Sequence, residues 1–208
     1  MSNILVTGGL GHIGSALVKK LAPNYSVTVV DNLLTQRYCS LFSFKDVKFI
    51  EDSFEYASLD GIDTVIHLAA ITDAASSFGN RDEIERVNVK ATQSFLKRCR
   101  DAGVELFIFP SSTSVYGVAA DEVFEDDDKY LNPQSPYAEF KLMSEHMLTE
   151  LRQEHALRFV ILRFGTIFGM SPGMRFHTAV NKFCWEAAVG QPISVWKTAL
   201  DQKRPYLG

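Results

Sequence analysis

Thr7-Gly8-Gly9-Leu10-Gly11-His12-Ile13-Gly14 joins a short apolar run at residues 4–7 to a helical apolar pattern at residues 13–21. Two glycine patterns overlap in this stretch, GxGxxG starting at Gly9 and GxxGxxG starting at Gly8. Glycines in a strand-to-helix turn permit a tight bend, let backbone amides approach a phosphate and allow the helix to pack on the strand. The stretch therefore predicts a loop for the pyrophosphate of a dinucleotide. The alternative is a glycine-rich turn that binds nothing.

The residue that follows the second strand pattern supports a dinucleotide. Asp31 comes directly after the β-branched residues 26–30, about 20 residues beyond Gly11, where a carboxylate receives the adenine-ribose hydroxyls. A carboxylate there repels a 2′-phosphate, and Arg37 is the nearest arginine that follows. We therefore expect NAD rather than NADP as the cofactor.

Short β-branched runs alternate with longer helical patterns along most of the chain. The six predicted strands are residues 4–7, 26–30, 47–50, 64–68, 106–109 and 159–162. Helical apolar spacing occupies several of the intervals, namely 13–21, 84–95 and 142–151. This alternation predicts an α/β fold, a Rossmann-like doubly wound parallel sheet with helices on both faces.

The pattern changes after Gly169. Residues 170–173 indicate a loop, 178–189 a helix and 193–196 one more short strand, a set too small to form a core alone. We expect an NAD-binding Rossmann-like domain over residues 1–168. Residues 169–208 are expected to begin a small C-terminal substrate-binding region that caps the carboxyl edge of the sheet.

Composition and charge exclude several classes of protein. With 46 % hydrophobic and 22 % charged residues the chain is globular, and a net charge of −4 disfavours binding to nucleic acid. No apolar run is long enough for a membrane span, and the first residues lack the basic start of a signal peptide. Cys39, Cys99 and Cys184 are too widely spaced for a disulfide framework or a zinc site. We expect them in the core of a cytoplasmic protein that holds no metal.

A tyrosine and a lysine four residues apart form the second candidate site. Tyr137 and Lys141 lie on one face of a predicted helix, so the ammonium can lower the pKa of the phenol and favour a general base. The strand at 106–109 ends in a hydroxyl cluster, residues 111–114, at the edge where doubly wound sheets bind ligands. The alternatives are a surface Tyr–Lys pair and ordinary capping of a strand end.

In this order the motifs resemble those of the extended short-chain dehydrogenase/reductase family, in its branch of NAD-dependent nucleotide-sugar epimerases and dehydratases, and are UDP-glucose 4-epimerase-like. Residues 7–14 resemble the TGGxGxIG loop, 31–33 the DNL turn and 67–70 the HLAA strand end. The cofactor contacts that the resemblance implies are Gly8, Gly11, His12, Ile13, Gly14, Asp31, Asn32, Asp52, Ser53, Leu68, Ala69, Ala70, Asn88, Ser111, Tyr137, Lys141 and Gly165. The implied catalytic residues are Ser112, Tyr137 and Lys141, and the implied substrate contacts are Ser112, Thr113, Thr166 and Arg204.

The resemblance implies a concealed redox cycle. Tyr137 removes a sugar hydroxyl proton while hydride passes to NAD, Ser112 binds the reacting oxygen, and Lys141 holds the nicotinamide ribose. Thr113 and Ser114 stand where the family's dehydratases and decarboxylases usually carry acids, so we expect epimerisation of a nucleotide sugar through a transient 4-keto intermediate. One alternative is an NAD(P)-dependent reductase or dehydrogenase of a keto sugar or other carbonyl, with net cofactor turnover. A second is a non-catalytic NAD-binding sensor.

The resemblance also carries expectations about size, assembly and surface. Family members have a fuller C-terminal domain, so the region after residue 168 is expected to be truncated. They commonly form homodimers through two helices, here residues 81–100 and 136–154, with Phe95, Phe140 and Met147 expected on outward faces. Thr166 replaces a common asparagine, which makes a UDP-hexose a less secure choice of substrate. The acidic run at 121–128 is expected to be a solvated loop.

Overall fold

The predicted β-branched runs form six strands in one parallel sheet. The computed structural model describes residues 2–72, 79–118, 122–152, 157–195, 197 and 203–208. The strands are β1 Asn3–Thr7, β2 Ser26–Asp31, β3 Val47–Glu51, β4 Thr64–His67, β5 Leu106–Ser112 and β6 Arg158–Phe164. Their order across the sheet is β3-β2-β1-β4-β5-β6, and every neighbouring pair is parallel. The Rossmann-like α/β prediction is confirmed, and the strand order reverses between β1 and β4, where such folds bind ligands.

Helices follow the strands as the apolar spacing indicated. They are α1 His12–Leu21, α2 Arg81–Glu85, α3 Thr92–Asp101, α4 Pro136–Arg152 and α5 Ala179–Ala188. A π-helical segment, Arg86–Ala91, joins α2 to α3, so the helix predicted at 84–95 is continuous but locally wider, with more residues per turn than an α-helix. In α1, Lys19 and Lys20 occupy the last turn, where positive charge is favourable to the helix dipole.

Two short strands that were not predicted form a second parallel pair. They are β7 Thr166–Ile167 and β8 Tyr206–Leu207. The short strand expected at 193–196 is wrong for residues 193–195, which are irregular, and Trp196 lies outside the described residues. The pairing of β7 with β8 returns the C-terminal residues to the end of β6.

The two faces of the sheet carry separate apolar cores. On one face Val18 of α1 packs with Val6 and Val29 of the sheet. On the other, Phe95 of α3 and Leu148 of α4 pack with Phe107 of β5. Burial of such side chains stabilises by about 1.5–3 kcal/mol each, so both helix layers are firmly attached.

Two expectations about apolar and sulfur side chains are wrong. Phe95 and Phe140 are 0 % and 1 % exposed and belong to the core of the chain, and Met147 is partly buried against Phe140. They do not mark an outward dimer face, because the apolar stripes of α3 and α4 are used by the sheet and by the α2 region. Cys99 is buried as expected, whereas Cys39 and Cys184 are exposed.

The acidic run is a solvated loop over its described part. Asp127 accepts a hydrogen bond from the backbone N–H of Lys129 and pairs with its ammonium, and the neighbouring Asp126 and Asp128 are exposed. Asp121 lies outside the described residues. Within the described ranges, no helix combines the length and apolar character needed to cross a bilayer.

Candidate active site

The glycine loop connects β1 to α1 and is shaped by contacts that exclude side chains. Gly8 has a φ of +66°, and a β-carbon on it would lie 2.6 Å from the backbone nitrogen of Ala69. A β-carbon on Gly14 would lie 2.6 Å from Cα of Gly9. Gly11 differs, because a β-carbon there would meet only Gly8 O, at 3.3 Å. Backbone N–H groups of residues 12–14 at the start of α1 are thus open to a phosphate above Gly11.

Asp31 ends β2 beside this loop. Its carboxylate accepts hydrogen bonds from the backbone N–H of Leu10, at 3.1 Å, and of Leu33, at 3.0 Å. The backbone N–H of Asp52, at the end of β3, donates to Asp31 O, so the two acids lie at adjacent strand ends. Asn32 and Ser53 follow them, and Asn32 is exposed. The structure brings these four predicted cofactor contacts to one rim next to the glycine loop.

The end of β4 forms the opposite rim. The ring of His67 is hydrogen-bonded to the hydroxyls of Thr7, at 2.8 Å, and Thr92, at 3.1 Å, and burial lowers its pKa to about 3. His67 is therefore a neutral structural group. The backbone N–H of Ala69 donates to the hydroxyl of Thr7, at 3.3 Å. The predicted contacts at 68–70 follow His67 along the glycine loop.

Asn88 holds the chain that leaves this rim. Its side chain accepts from the backbone N–H of Ile71, at 2.9 Å, and donates to Ile71 O, at 2.8 Å. Asn88 lies in the π-helical segment and is buried. Its amide thus holds the backbone of Ile71, and the cofactor contact that the resemblance implies stays a prediction.

Ser112 and Tyr137 are brought together at the carboxyl end of β5. The Ser112 hydroxyl accepts two hydrogen bonds from Ser114, one from the backbone N–H, at 3.2 Å, and one from the side-chain hydroxyl, at 2.8 Å. Burial raises the pKa of Tyr137 to about 12, and the neighbouring Ser112 hydroxyl and the charge of Arg175 lower it in part. The phenol is therefore neutral at physiological pH with the protein's groups alone.

Lys141 lies one turn beyond Tyr137 but does not bond the phenol. Its ammonium stands 6.0 Å from the Tyr137 ring centroid, donates to Pro110 O at 2.7 Å and lies 4.5 Å from the Phe109 ring centroid. Burial lowers the pKa of Lys141 to about 8, and the charge of Glu145 opposes that shift. The sequence predicted that Lys141 lowers the pKa of the Tyr137 phenol. Burial dominates that pKa instead, and the groups that lower it are Ser112 and Arg175.

Two buried charged residues were missed by the sequence reasoning. Glu145 lies four residues after Lys141 on α4, and its carboxylate pairs with Arg163 of β6 at 2.6 Å. The hydroxyl of Ser111 donates a hydrogen bond to the carboxylate of Glu145. The spacing YxxxKxxxE from Tyr137 was the available signal, since i,i+4 steps keep all three on one face.

A loop from the C-terminal part lies on the glycine loop. The ring of His12 is hydrogen-bonded to Gly169 O at 3.0 Å, and the backbone N–H of Gly173 donates to the hydroxyl of Ser15 at 2.9 Å. Arg37 donates to Gly173 O at 3.0 Å. We call residues 169–175 the strap. His12, predicted as a cofactor contact, thus holds the strap, and Arg175 at its end bonds Thr72 beyond β4.

The predicted substrate contacts lie near one another at the ends of β5 and β6. Ser112 pairs in register with Phe164, and Gly165 and Thr166 follow directly. The backbone N–H of Thr166 donates to Pro205 O at 2.9 Å, which places Arg204 next to this segment. Thr113 begins a short 3-10 turn after Ser112. Among the described residues, no group of three or more His, Cys, Asp or Glu side chains is placed to hold a metal ion.

The family model for the NAD dependent epimerase/dehydratase family matches residues 4–207. The chain belongs to the NAD-dependent epimerase/dehydratase family. Family members are enzymes, and NAD is their cofactor. This agrees with a glycine loop, an acid at the end of β2 and a Ser–Tyr–Lys set on one sheet edge.

Curated relatives of this epimerase/dehydratase chain include members of both reaction types. An uncharacterised UDP-glucose epimerase of Bacillus subtilis is 34 % identical over 197 residues, which cover 86 % of this chain and 61 % of the relative. The dTDP-D-glucose 4,6-dehydratase of Homo sapiens is 30 % identical over 182 residues, covering 80 % of this chain and 51 % of the relative. The chain thus spans less than two thirds of these relatives' lengths.

Solved structures of the family superpose closely. A UDP-N-acetylglucosamine 4-epimerase from Methanobrevibacter ruminantium, solved with UDP-N-acetylmuramic acid, has a TM-score of 0.88 at 26 % identity and covers 99 % of this chain and 68 % of its own. A UDP-glucuronic acid 4-epimerase from Bacillus cereus, solved with UDP-glucuronic acid and NAD, has a TM-score of 0.86 at 30 % identity. The match covers 98 % of this chain and 68 % of the epimerase.

Proposed function

We propose that this chain binds NAD across the end of β1 and epimerises a nucleotide sugar through a transient 4-keto intermediate. The observation that carries the proposal is the convergence of Ser112, Tyr137 and Lys141 on the sheet edge that also holds the glycine loop, with the Ser112 hydroxyl close enough to lower the pKa of the Tyr137 phenol. This sheet edge is where doubly wound folds place the reacting groups of a bound dinucleotide and its substrate.

The protein offers a fitting cradle for NAD. The open side of Gly11 at the start of α1 suits the pyrophosphate, because a β-carbon on Gly11 would meet no side chain within 4 Å and a helix N-terminus favours an anion. Asp31 is placed to accept hydrogen bonds from the adenine-ribose hydroxyls, and its charge disfavours a 2′-phosphate. When bound, NAD supplies the capacity to take hydride from the sugar and to return it.

The chain's own residues would handle the proton. Tyr137 removes the proton of the sugar hydroxyl as hydride leaves the same carbon, and Ser112 donates a hydrogen bond to the reacting oxygen. Burial raises the pKa of the Tyr137 phenol, so the phenol is protonated when no cofactor is bound. The positive charges of Arg175 and of a bound nicotinamide favour its ionisation. After the keto sugar turns, hydride returns to the other face and Tyr137 gives back the proton.

Epimerisation is favoured over dehydration by the residues after Ser112. Loss of water requires an acid and a base beside the sugar, and the stretch 111–117 carries no carboxylate. Glu145 reaches this region but is held in an ion pair with Arg163. Since the family includes dehydratases, the experiment must distinguish epimerisation from loss of water.

The experiment incubates the purified chain with NAD and a panel of UDP- and dTDP-linked hexoses, hexosamines and uronic acids. Proton NMR is expected to show a second diastereomer, with no steady change in absorbance at the wavelength of NADH. Tyr137→Phe is expected to keep NAD binding and lose conversion, whereas Tyr56→Phe, at an exposed tyrosine, keeps both. Net NADH formation would instead identify a dehydrogenase, and NAD binding without any conversion would favour a sensor.

Three further expectations stay predictions. They are the division at residue 168, a homodimer and a cytoplasmic location. Because Phe95 and Phe140 are buried, a dimer that uses α4 would have to rest on other side chains, and Met143 is 45 % exposed there. Light scattering over a range of concentrations tests the dimer, and Met143→Glu is expected to weaken it.

A further inference from the structure

A buried ion pair lies directly behind the candidate catalytic residues. Glu145 of α4 is 4 % exposed, and its carboxylate accepts hydrogen bonds from Nη2 of Arg163, at 2.6 Å, and Nε, at 3.1 Å. The hydroxyl of Ser111 donates to the other carboxylate oxygen. Forked contacts of this kind fix the orientation of both partners, because a guanidinium and a carboxylate match in shape.

Arg163 is itself held from the other side. Its Nη1 donates to the phenol oxygen of Tyr116, at 2.7 Å, and to Glu125 O, at 3.0 Å. The guanidinium carbon also lies 5.1 Å from the Tyr116 ring centroid. The pair therefore ties α4 and β6 to the end of β5 and the turn after it, the segments that carry Tyr137, Lys141 and Ser112.

Lys141 is the group on which this pair can act. It is 5 % exposed, and Glu145 lies one turn along the same helix face. The titratable groups that act on Lys141 or lie near it are Tyr137 and Glu145 on α4 and His67 on β4, and Arg163 of β6 pairs with Glu145. His67 is neutral and Tyr137 is protonated, so Glu145 supplies the negative charge that opposes the desolvation of the ammonium.

We propose that Glu145 and Arg163 are positioning residues that together set the charge of Lys141 in the NAD site. The carboxylate keeps the buried ammonium charged, and the guanidinium limits that effect by neutralising part of the carboxylate. The importance of a charged Lys141 for turnover rests on the proposed function, but its charge in the protein does not.

The two members of the pair have opposite effects on Lys141, which makes the proposal testable. Glu145→Gln removes the negative charge that opposes desolvation of the ammonium and leaves the Arg163 guanidinium unpaired, so Lys141 loses its proton at lower pH. Arg163→Met leaves the carboxylate unneutralised, so Lys141 keeps its proton to higher pH. A purely structural role would loosen the site in both variants and move the titration in one direction.

The experiment follows Lys141 in the whole chain by NMR with lysine labelled with ¹³C at Cε, and Lys141→Arg assigns the signal. We expect the titration midpoint to fall by about one pH unit in Glu145→Gln and to rise in Arg163→Met. Glu150→Gln, an exposed glutamate on the same helix, serves as the matched control and is expected to change nothing. The readout needs no turnover, so it stands or fails separately from the epimerase proposal.

Two further variants keep the proposal testable if a single variant does not fold. Glu145→Gln/Arg163→Met removes both charges at once, which is much less disruptive than leaving one of them unpaired in the interior. Its midpoint is expected to lie below that of the wild type, because the carboxylate is lost, and above that of Glu145→Gln, because no unpaired guanidinium remains. Ser111→Ala keeps the ion pair and is expected to leave the midpoint near that of the wild type. Shifts of the same sign in both single variants, or a double variant that titrates like the wild type when a single variant cannot be folded, overturn the proposal.

Discussion

Gly173 of the strap packs directly on the carbonyl oxygens of Leu10 and Gly11 in the glycine loop. A β-carbon on Gly173 would lie 2.6 Å from Gly11 O and closer still to Leu10 O. The backbone N–H of Gly173 is also bonded to Ser15 in the first turns of α1. Residues far apart in sequence therefore fix the outer side of the loop whose inner side faces the nucleotide site.

The first prediction concerns this contact. Gly173→Ala must displace either the strap or the glycine loop, since backbone atoms cannot move aside as a flexible side chain can. Overpacking of this kind costs about 1–3 kcal/mol, so we expect a lower melting temperature and an affinity for NAD about tenfold weaker by calorimetry. Met170→Ala changes a strap residue that is 94 % exposed and should leave both unchanged. Wild-type affinity in Gly173→Ala would show that the strap does not shape the loop.

The second prediction concerns cofactor choice at Asp31. In Asp31→Ala the backbone N–H groups of Leu10 and Leu33 lose their acceptor, so affinity falls for NAD and NADP alike. Loss of the carboxylate also removes its repulsion of a 2′-phosphate, which acts on NADP alone. We expect the ratio of NADP to NAD affinity to rise about tenfold or more in a binding titration. Asp60→Ala, at an exposed aspartate, is the control. An unchanged ratio of NADP to NAD affinity would show that Asp31 does not contact the adenine ribose.

The third prediction concerns the pH dependence of conversion. A general base works in its deprotonated form, so the rate rises with pH as Tyr137 ionises. Arg175 lowers the pKa of Tyr137, and Arg175→Met therefore raises it and reduces the deprotonated fraction at any given pH. We expect the rising limb of the pH–rate profile to move to higher pH. Arg158→Met removes an exposed charge at the opposite end of the sheet and should not move it. A limb that moves equally in both variants would point to net charge instead.

Much of the sheet was predictable because buried parallel strands are short β-branched runs. The end of β5 was not: the strand continues through Ser111 and Ser112 because both pair with β6, and hydroxyl residues give no strand signal. Apolar spacing predicted α3 and α4 but not which way they face. Phe95 and Phe140 were assigned to an outward surface, whereas the sheet and α2 cover them.

The proposed catalytic residues could be picked out from local motifs, whereas the residues that contact them from other segments could not. Tyr137 and Lys141 share one helix, so their spacing alone puts them on one face. Arg163 meets Glu145 only because β6 lies beside β5 and α4 covers both. The contact of the Cys39 thiol with Pro172 O of the strap, at 3.1 Å, likewise joins segments far apart in the sequence. Contacts between distant segments leave no periodic signature in a single sequence.

The last prediction concerns acid stability and the buried ring of His67. Burial lowers its pKa to about 3, whereas in the unfolded chain the ring binds a proton below its ordinary pKa of 6.5. Between these values only the unfolded state carries the proton, so the free energy of unfolding falls by about 1.4 kcal/mol per pH unit as the pH drops. Above pH 6.5 neither state is protonated and this contribution is constant.

His67→Gln removes that proton-binding difference but keeps a polar side chain near Thr7 and Thr92. We expect the variant to be less stable than the wild type at pH 7 and to lose less stability between pH 7 and pH 4, by about 2–3 kcal/mol in urea titrations. His146→Gln, at an exposed histidine on α4, should follow the wild type at every pH. Parallel loss in His67→Gln and wild type would mean that carboxylates, rather than His67, dominate acid unfolding. A smaller loss of stability in His67→Gln than in the wild type would show that the buried, neutral ring of His67 contributes to acid unfolding.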